Sequence, residues 1–357
     1  MKILFAGLKY DYGIISRGES LESKAFVPSL ANISSDFYVF WLEENGFPND
    51  IDSLQGCLKE YADEVEPDFI FFVLMNNEIS IDTLSYLSGR YTTINWFCDD
   101  AWRFEDFTKK IMFHLSYAVT TEKYILSNYK DNNYDNVILS QWAAIDYDQN
   151  LDPKNVQYKY DFSFIGGRNP TRSWIIDQLK KNDIIVNCFG SGWENGRISF
   201  DEMNDIFYHS KINLNLSNSN STEIQFLKVI LKNLLISFFQ VFSKNLKKYF
   251  FDLKSNLKDL RFYFTSKKVS EQMKARNFEI PSSGGFQLSQ YSLGIEDYYE
   301  IGSEIAVYTS VQELIKQCKY YIENDKLRRE ICTKGYLRSM EHTYNKRMEI
   351  IFDNLMK

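Results

Sequence analysis

The stretch that decides the fold is "YDFSFIGGRNPTRSWIIDQLKKN", residues 160–182. An apolar run typical of a buried strand leads into a Gly-Gly turn, and apolar residues at helical spacing follow it. The glycines leave bare backbone amides between the strand and the helix, where a negatively charged group binds well. The order predicts one β–α unit of a parallel sheet, with a candidate diphosphate-binding loop at Gly166, Gly167 and Arg168. A plain tight turn is the alternative interpretation.

The same strand–helix alternation extends in both directions from this stretch. Upstream, five apolar segments are typical of buried strands: "KILFAG", "FYVFWL", "DFIFFVL", "TTINWFC" and "YAVTT". Downstream, "IIVNCFGSGW" and "KINLNLS" resemble strands, and helical patterns surround them. We therefore predict an α/β fold of two Rossmann-like domains, 1–150 and 151–340, followed by a helix at 341–357. Ligands of such sheets bind beyond the carboxyl ends of the strands, which predicts a site in the cleft between the domains.

Composition limits the class of protein. The chain has 357 residues, a length suited to two domains, and its 44% hydrophobic and 25% charged residues are typical of a globular protein. A net charge of −7 argues against a general nucleic-acid binder. The five cysteines form no CxxC pair and the three histidines are dispersed, so we expect no metal site and a reducing compartment. The first apolar run is short, so we expect no signal peptide and predict a cytoplasmic protein.

One segment departs from this composition. Residues 223–276 carry 10 Lys and 2 Arg against 2 Asp and 2 Glu, so this segment is strongly basic in an acidic chain. Leucine and phenylalanine recur there at three- and four-residue steps, which predicts an amphipathic helix or helical hairpin. Its longest uncharged run, "NLLISFFQVFS", is too short to span a bilayer but suits a membrane interface. Two interpretations stay open: peripheral contact with the inner face of the membrane, or packing on the body or a partner.

A second glycine turn, in "RNFEIPSSGGFQL", residues 276–288, offers further donors. Hydroxyls and flexible glycines can form an anion-binding nest at Ser282, Ser283, Gly284 and Gly285. Glu279 would repel a phosphate, so we expect it to accept hydrogen bonds from the hydroxyls of a sugar. The alternative is a helix N-terminus in which serine is the cap and Glu279 pairs with Arg276.

A third loop, "FGSGW" at 189–193, follows a predicted strand and adds an aromatic ring. Gly192 would permit a tight turn, and Trp193 could lie against a nucleotide base. A place in the core is an equally good interpretation of Trp193.

In the N-terminal half, polar residues follow two of the predicted strands. Asp99 and Asp100 in "NWFCDDAWRF" could act as a general base or bind acceptor hydroxyls, with a helix cap as the alternative. Arg17, Ser20 and Glu22 in "SRGESLESKAF" would face the same edge, and their alternative is also a capped helix start.

Several of these stretches, in this order, resemble the CgeB-like (spore-maturation-protein-type) glycosyltransferases, which are related to glycosyltransferase families 4 and 1. The resemblance covers most of the chain and is strongest at 160–217 and 272–347. It is carried by the following stretches: "SRGESLESKAFVPSL", "NWFCDDAWRF", "DFSFIGGRNPTR", "KINLNLS", "QMKARNFEIPSSGGFQL", "EIGSEIAVYTSVQEL" and "EHTYNKR".

The resemblance implies a GT-B fold, in which the C-terminal domain holds a nucleoside diphosphate sugar and the N-terminal domain holds the acceptor. By position, Glu279 would hold the donor ribose, Ser283–Gly285 would form the diphosphate loop and Gly166–Arg168 the opposing loop. The family-4 pattern has a second glutamate eight residues after the first, where this chain has Gln287. The resemblance also implies that no metal or permanent cofactor is needed. It further indicates that 223–272 is an insertion, and that the final helix crosses back onto the first domain.

We therefore predict a hexosyltransferase-like glycosyltransferase whose acceptor is a hydroxyl of a glycan, a lipid-linked molecule or a protein. Asp99 or Asp100 would be the base if the reaction inverts the anomeric carbon. The rival is a non-catalytic GT-B module that binds a sugar nucleotide and is recruited to a membrane or partner by the basic segment. A nicotinamide-dependent enzyme is disfavoured because the GxGxxG fingerprint is absent.

Overall fold

The computed structural model describes residues 1–146, 151–217, 219, 224–239, 246–268 and 270–356. The chain forms two compact units, one of Met1–Asn150 with Leu337–Lys357 and one of Leu151–Tyr336. Each unit is a parallel sheet with helices, which confirms the predicted α/β, GT-B fold class.

The N-terminal unit has a six-stranded parallel sheet in the order β2-β1-β3-β4-β5-β6. The strands are β1 (Lys2–Gly7), β2 (Asp36–Trp41), β3 (Phe69–Phe72), β4 (Thr92–Phe97), β5 (Tyr117–Thr120) and β6 (Val137–Leu139). The helices are α1 (Val27–Ile33), α2 (Ile51–Val65), α3 (Ile81–Ser88), α4 (Asp100–Arg103), α5 (Lys109–Ile111), α6 (Leu126–Asp131) and α14 (Tyr344–Leu355). Five of these strands match the predicted segments, and the short edge strand β6 was not predicted.

Apolar runs make these strands the centre of the unit. Phe5, Phe71 and Trp96 are fully buried, because helices cover both faces of a parallel sheet. The helix α2 begins where the Asp50 side chain accepts a hydrogen bond from the amide of Ser53, which satisfies an otherwise free helix donor.

The last helix, α14, belongs to the N-terminal unit. The ring of Tyr344 lies 5.0 Å from that of Phe26, and Phe352 meets Phe69 edge to face at 5.2 Å. Tyr344 and Phe352 are both buried. The chain therefore returns to its first unit at its end, and aromatic packing holds α14 there.

The C-terminal unit has a five-stranded parallel sheet in the order β11-β10-β9-β7-β8. The strands are β7 (Tyr160–Ile165), β8 (Asn187–Phe189), β9 (Ser210–Asn215), β10 (Gln287–Gln290) and β11 (Ala306–Tyr308). The helices are α7 (Pro170–Lys180), α8 (Phe200–Tyr208), α9 (Ile224–Phe239), α10 (Leu246–Thr265), α11 (Arg276–Ser282), α12 (Val311–Glu323) and α13 (Asp325–Ser339), whose last residues pass into the first unit.

The basic segment forms the two helices α9 and α10, as its periodicity predicts. Phe226 and Ile230 of α9 lie in the core of the C-terminal unit, and Phe226 contacts Trp174 at 5.7 Å between ring centroids. Tyr263 of α10 packs against the ring of Phe226, at 6.2 Å between ring centroids. The inner sides of both helices are thus part of the C-terminal unit. Within the described residues, no helix has the length and apolar character needed to cross a membrane.

Candidate functional site

The loop after β7 lies against the loop after β8 at the carboxyl edge of the C-terminal sheet. The amide of Arg168 donates to the Ser191 carbonyl at 2.8 Å, and that of Gly166 donates to the Phe189 carbonyl at 2.9 Å. The guanidinium of Arg168 donates from Nε to the Ser173 hydroxyl at 2.9 Å. Gly167 and Arg168 are exposed, and the space around the α-carbon of Gly167 is open. This edge therefore offers a fixed cation beside an accessible backbone.

Trp193 packs against the loops that follow β7 and β8. Its indole Nε1–H donates to the Gly166 carbonyl at 2.8 Å, and its ring meets Phe164 edge to face at 6.1 Å. The Arg168 guanidinium lies 5.4 Å from the centroid of the same ring. Gly192 has φ +85, and a Cβ there would lie 3.0 Å from the Cβ of Arg168. These contacts favour the interpretation of Trp193 as a packing residue, and its predicted stacking on a base stays a prediction.

Arg172, on the first turn of α7, was not among the predicted site residues. Its guanidinium donates to three carbonyls, those of Gly167 at 2.8 Å, Leu216 at 2.8 Å and Ser217 at 3.0 Å. The pKa of Arg172 is lowered to about 10, chiefly by burial and also by the nearby charge of Arg276, whereas Tyr308 and Glu271 oppose the fall. It still carries its charge at neutral pH, so it ties the ends of β7 and β9 together and adds positive potential to this edge.

The helix α11 brings two of the predicted residues to the same place. Arg276 and Glu279 form an ion pair, and Arg276 Nε donates to the carbonyl of Ile165, the last residue of β7, at 3.4 Å. Glu279 is almost fully buried, whereas the side chain of Arg276 is about a third exposed (30%). The pairing of Glu279 with Arg276 is the alternative that the sequence left open. Its role toward a donor ribose stays a prediction.

A second glutamate, Glu271, lies at the same edge. Its Oε1 accepts from the Gln290 side chain at 2.9 Å, at the end of β10, and it also accepts a hydrogen bond from the Ser219 hydroxyl. Glu271 precedes Glu279 by eight residues. The eight-residue spacing that the resemblance implies for two glutamates therefore also occurs upstream of Glu279, whereas Gln287, eight residues downstream, is buried in β10.

The stretch Ser282–Gly285 does not lie with Arg276. It includes the last residue of α11 and the turn before β10, so it is at the opposite end of this helix from Arg276. The Ser283 hydroxyl donates to Asn204 Oδ1 at 2.9 Å, and a Cβ on Gly284 would lie 3.1 Å from the ring of Tyr208. A Cβ on Gly285 would lie 2.6 Å from the Asn213 side chain, so glycine here permits close packing. Their diphosphate role stays a prediction that this placement does not favour.

The two aspartates after β4 have different surroundings. Asp100 has no exposed surface, and its carboxylate accepts from Thr108 Oγ1 at 2.5 Å and from the Tyr129 hydroxyl at 2.7 Å. Burial raises the pKa of Asp100, and these two hydrogen bonds oppose the rise. Both carboxylate oxygens of Asp100 are thus engaged within the N-terminal unit, and its role as a base stays a prediction. Asp99 is in the left-handed region, φ 65, at the carboxyl end of β4.

The predicted acceptor-side residues lie in the segment after β1. The guanidinium of Arg17 is 5.1 Å from the centroid of the Tyr12 ring and 4.0 Å from Asp11 Oδ2. Ser20 is buried, and its hydroxyl donates to the Leu8 carbonyl at 2.7 Å and accepts from the Ser23 amide. Ser20 is thus a helix cap, the alternative that the sequence left open.

The carboxyl group of Glu22 has a pKa raised to about 7. Burial is the largest cause, and Asp11 and Glu43 also raise it, whereas hydrogen bonds with its own backbone and with Ser20 oppose the rise. Burial also raises the pKa of Tyr12, with contributions from Asp11 and Asp99. A carboxyl group that changes charge near neutral pH suits a proton acceptor.

No group of three or more His, Cys, Asp or Glu side chains among the described residues could hold a metal ion. The positive groups of the C-terminal edge are instead arginines: Arg168, Arg172 and Arg276. Their positive charges fit a diphosphate, and the exposed guanidinium of Arg168 could bind phosphate oxygens in a planar, two-pronged geometry.

Comparisons with known proteins agree with this fold. Residues 241–353, less than half of the chain, match the family described as "Glycosyl transferase-like". The match begins inside the predicted insertion and includes α10, so it gives no support to an insertion at that helix. No curated protein sequence matches the chain significantly.

Solved structures resemble the chain over its whole length. Sucrose-phosphate synthase from Thermosynechococcus elongatus has a TM-score of 0.57 at 7% identity, covering 100% of this chain and 99% of that one. HepE of Anabaena in complex with UDP-glucose has a TM-score of 0.56 at 11% identity, covering 100% and 99%. The lipopolysaccharide outer core galactosyltransferase WaaB has a TM-score of 0.54 at 10% identity, covering 99% and 100%. The fold of the chain is that of the GT-B glycosyltransferases.

Proposed function

We propose that this protein is a GT-B glycosyltransferase that transfers a sugar from a nucleoside diphosphate sugar to a hydroxyl group. The observation that carries the proposal is the carboxyl edge of the C-terminal sheet, where three arginines and two glutamates lie at the ends of β7, β9 and β10. The family match and the UDP-glucose complex of HepE support the same function. The CgeB-like subfamily stays a prediction.

In the proposed mechanism, each group has a separate task. Arg168 and the exposed backbone of Gly167 bind the diphosphate and stabilise the charge that develops on it as the sugar departs. Arg172 holds their loop in place, and Glu279 accepts hydrogen bonds from the donor ribose. Because the arginines supply this positive charge, the proposal includes transfer without a metal ion.

The N-terminal unit would supply the acceptor site. We propose that Glu22 or Asp99, at the carboxyl edge of its sheet, takes the proton of the acceptor hydroxyl if the reaction is inverting. The acceptor is a glycan, a lipid-linked molecule or a protein. We expect a cytoplasmic enzyme, since nucleotide sugars are made there.

The donor site is tested first by calorimetric titration with UDP, GDP, CDP, ADP and their sugar conjugates, without metal and then with Mg²⁺. We expect one nucleotide to bind and Arg168→Ala to weaken it by about tenfold or more, the cost of one charged hydrogen bond. Lys316→Ala, an exposed cation of α12, is the matched control. If no nucleotide binds, or if both variants bind alike, the donor assignment fails.

An assay of turnover distinguishes the proposed enzyme from the alternative, a non-catalytic module that binds a sugar nucleotide. Slow hydrolysis of the bound donor gives a readout that needs no identified acceptor, and it should be lost in Arg168→Ala and Glu279→Gln. Nucleotide binding with neither hydrolysis of the donor nor transfer to candidate acceptors would favour the module.

A further inference from the structure

The helices α9 and α10 carry a second apolar surface that the core does not use. On α9, the exposed residues Lys228, Leu231, Lys232, Leu235 and Ile236 follow one another at helical spacing and so share one face. Leu235 is 62% exposed, although the opposite side of the same helix is buried through Phe226 and Ile230. We call the set of five exposed residues the α9 stripe.

The exposed side of α10 has the same composition. Lys254, Leu257, Lys258, Arg261 and Phe264 again recur at three- and four-residue steps, and Phe264 is 69% exposed. We call these five residues the α10 stripe. The inner side of this helix packs on the C-terminal unit through Leu260 and Tyr263. Neither stripe is needed to attach its helix to the body.

We propose that the α9 and α10 stripes bind the surface of an anionic membrane. Each stripe alternates large apolar side chains with cations, which is the pattern of helices that lie in a lipid interface. Leucine, isoleucine and phenylalanine enter the boundary of the acyl chains, and lysine and arginine extend their amphipathic side chains toward the lipid phosphates. The occupant is therefore a lipid surface with anionic headgroups.

The distribution of charge favours a lipid surface over a second copy of the chain. Residues 223–276 hold 12 of the 41 Lys and Arg residues but only 4 of the 48 Asp and Glu residues. Two such segments facing each other would repel, whereas an anionic bilayer attracts the segment and repels the acidic remainder. The same asymmetry would orient the molecule, with α9 and α10 toward the lipid.

Sedimentation of the full chain with vesicles tests the proposal. We expect binding to vesicles of equal parts phosphatidylcholine and phosphatidylglycerol, and little binding to phosphatidylcholine alone. The double variant Lys254→Gln, Lys258→Gln should weaken binding by about tenfold to thirtyfold, from about 1 kcal/mol per cation. The double variant Leu235→Ser, Ile236→Ser should weaken it by about tenfold or more.

Matched variants outside the stripes show whether the effect is local. Ile185→Ser with Leu293→Ser removes two equally exposed apolar side chains, and Lys316→Gln with Lys319→Gln removes two exposed cations of α12. Both should bind vesicles as the wild type does, with unchanged circular dichroism.

Three results would overturn the proposal: no binding to anionic vesicles, equal binding to neutral ones, or equal loss in the control variants. A dimer that forms without lipid and is lost in Leu235→Ser would also overturn it and assign the stripes to a second copy. The assay involves no nucleotide, so its failure is distinct from a failure of the proposed transfer activity.

Discussion

At the scale of single residues, Gly190 is a position of the candidate site where a side chain would not fit. Its φ is +118, and a Cβ there would lie 2.5 Å from the carbonyl oxygen of Gly166. We expect Gly190→Ala to lower the free energy of unfolding by about 1–3 kcal/mol and to weaken nucleotide binding, because the two loops must separate. Urea denaturation and calorimetric titration measure the two effects.

Gly167→Ala is the control for this change, because its α-carbon has open space around it and an ordinary φ. It should leave stability within about 0.5 kcal/mol of the wild type. Equal destabilisation by both alanines would show that the contact between the two loops does not decide the effect.

The raised pKa of Glu22 leads us to expect that the rate depends on pH. Burial raises its pKa to about 7, so the group is mostly protonated at pH 6 and mostly ionised at pH 8. If Glu22 accepts the proton of the acceptor, kcat/KM should rise with pH through about 7, and Glu22→Gln should lower it and abolish that rise. The measurement is a pH–rate profile once an acceptor is known, and an unchanged inflection in Glu22→Gln would exclude this role.

At this scale, the sequence predicted some residues of the candidate site and missed others, for physical reasons. Glycines after a strand are visible as a pattern, so Gly166–Arg168 was predicted at the right edge. Arg172 was not predicted, because its hydrogen bonds go to carbonyls just after β9, which lie far along the chain. The surroundings of Asp100 could not be read from the sequence, because only the fold shows that Thr108 and Tyr129 enclose it.

At the scale of elements, α11 shows why a local pattern can mislead. Pro281 and the glycines after it indicate a turn, and the sequence placed a phosphate-binding nest there. The structure has a seven-residue helix in which Pro281 is the penultimate residue, and a turn follows at Ser283 and Gly284, where Gly284 has φ +66. A proline this close to the end of a helix disrupts few backbone hydrogen bonds, so the helix forms and Arg276 in its first turn reaches the end of β7.

Arg172 links two elements, and this link predicts a large effect on stability. Arg172→Lys keeps the charge but cannot donate to three carbonyls in the planar arrangement that the guanidinium makes. We expect a loss of about 2–4 kcal/mol in unfolding free energy, because buried carbonyls of the β7 and β9 loops lose their donors. Thermal and urea unfolding measure it.

Lys180→Arg, an exposed residue at the last turn of the same helix, is the comparison and should have little effect. If Arg172→Lys is as stable as wild type, then the link between β7 and β9 is not a major source of stability, and Arg172 would act through its charge alone.

At the scale of the whole molecule, the alternation of strands and helices was enough to predict two α/β units. Short strands with weak patterns were missed, namely β6, β10 and β11, each of three or four residues. Their place in the sheets depends on pairing with distant strands: β10, for example, lies between β9 and β11.

The return of the last helix to the first unit predicts how the two units unfold. Phe352 is buried against Phe69 and Phe71, which belong to β3. Phe352→Ala removes a large aromatic side chain from this core and should cost about 3–5 kcal/mol of unfolding free energy. The loss should affect the N-terminal unit, although the substituted residue lies at the other end of the chain.

Amide hydrogen exchange read by mass spectrometry distinguishes the two units. In Phe352→Ala, exchange should accelerate in peptides of β1, β3 and α1, while peptides of β7, β9 and α7 keep the protection seen in the wild type. Ile350→Ala, at a half-exposed position of α14, should change neither set, since its side chain is not part of the core. Equal acceleration in both units would mean that they unfold as one cooperative body, and α14 would then stabilise the whole molecule rather than its first unit.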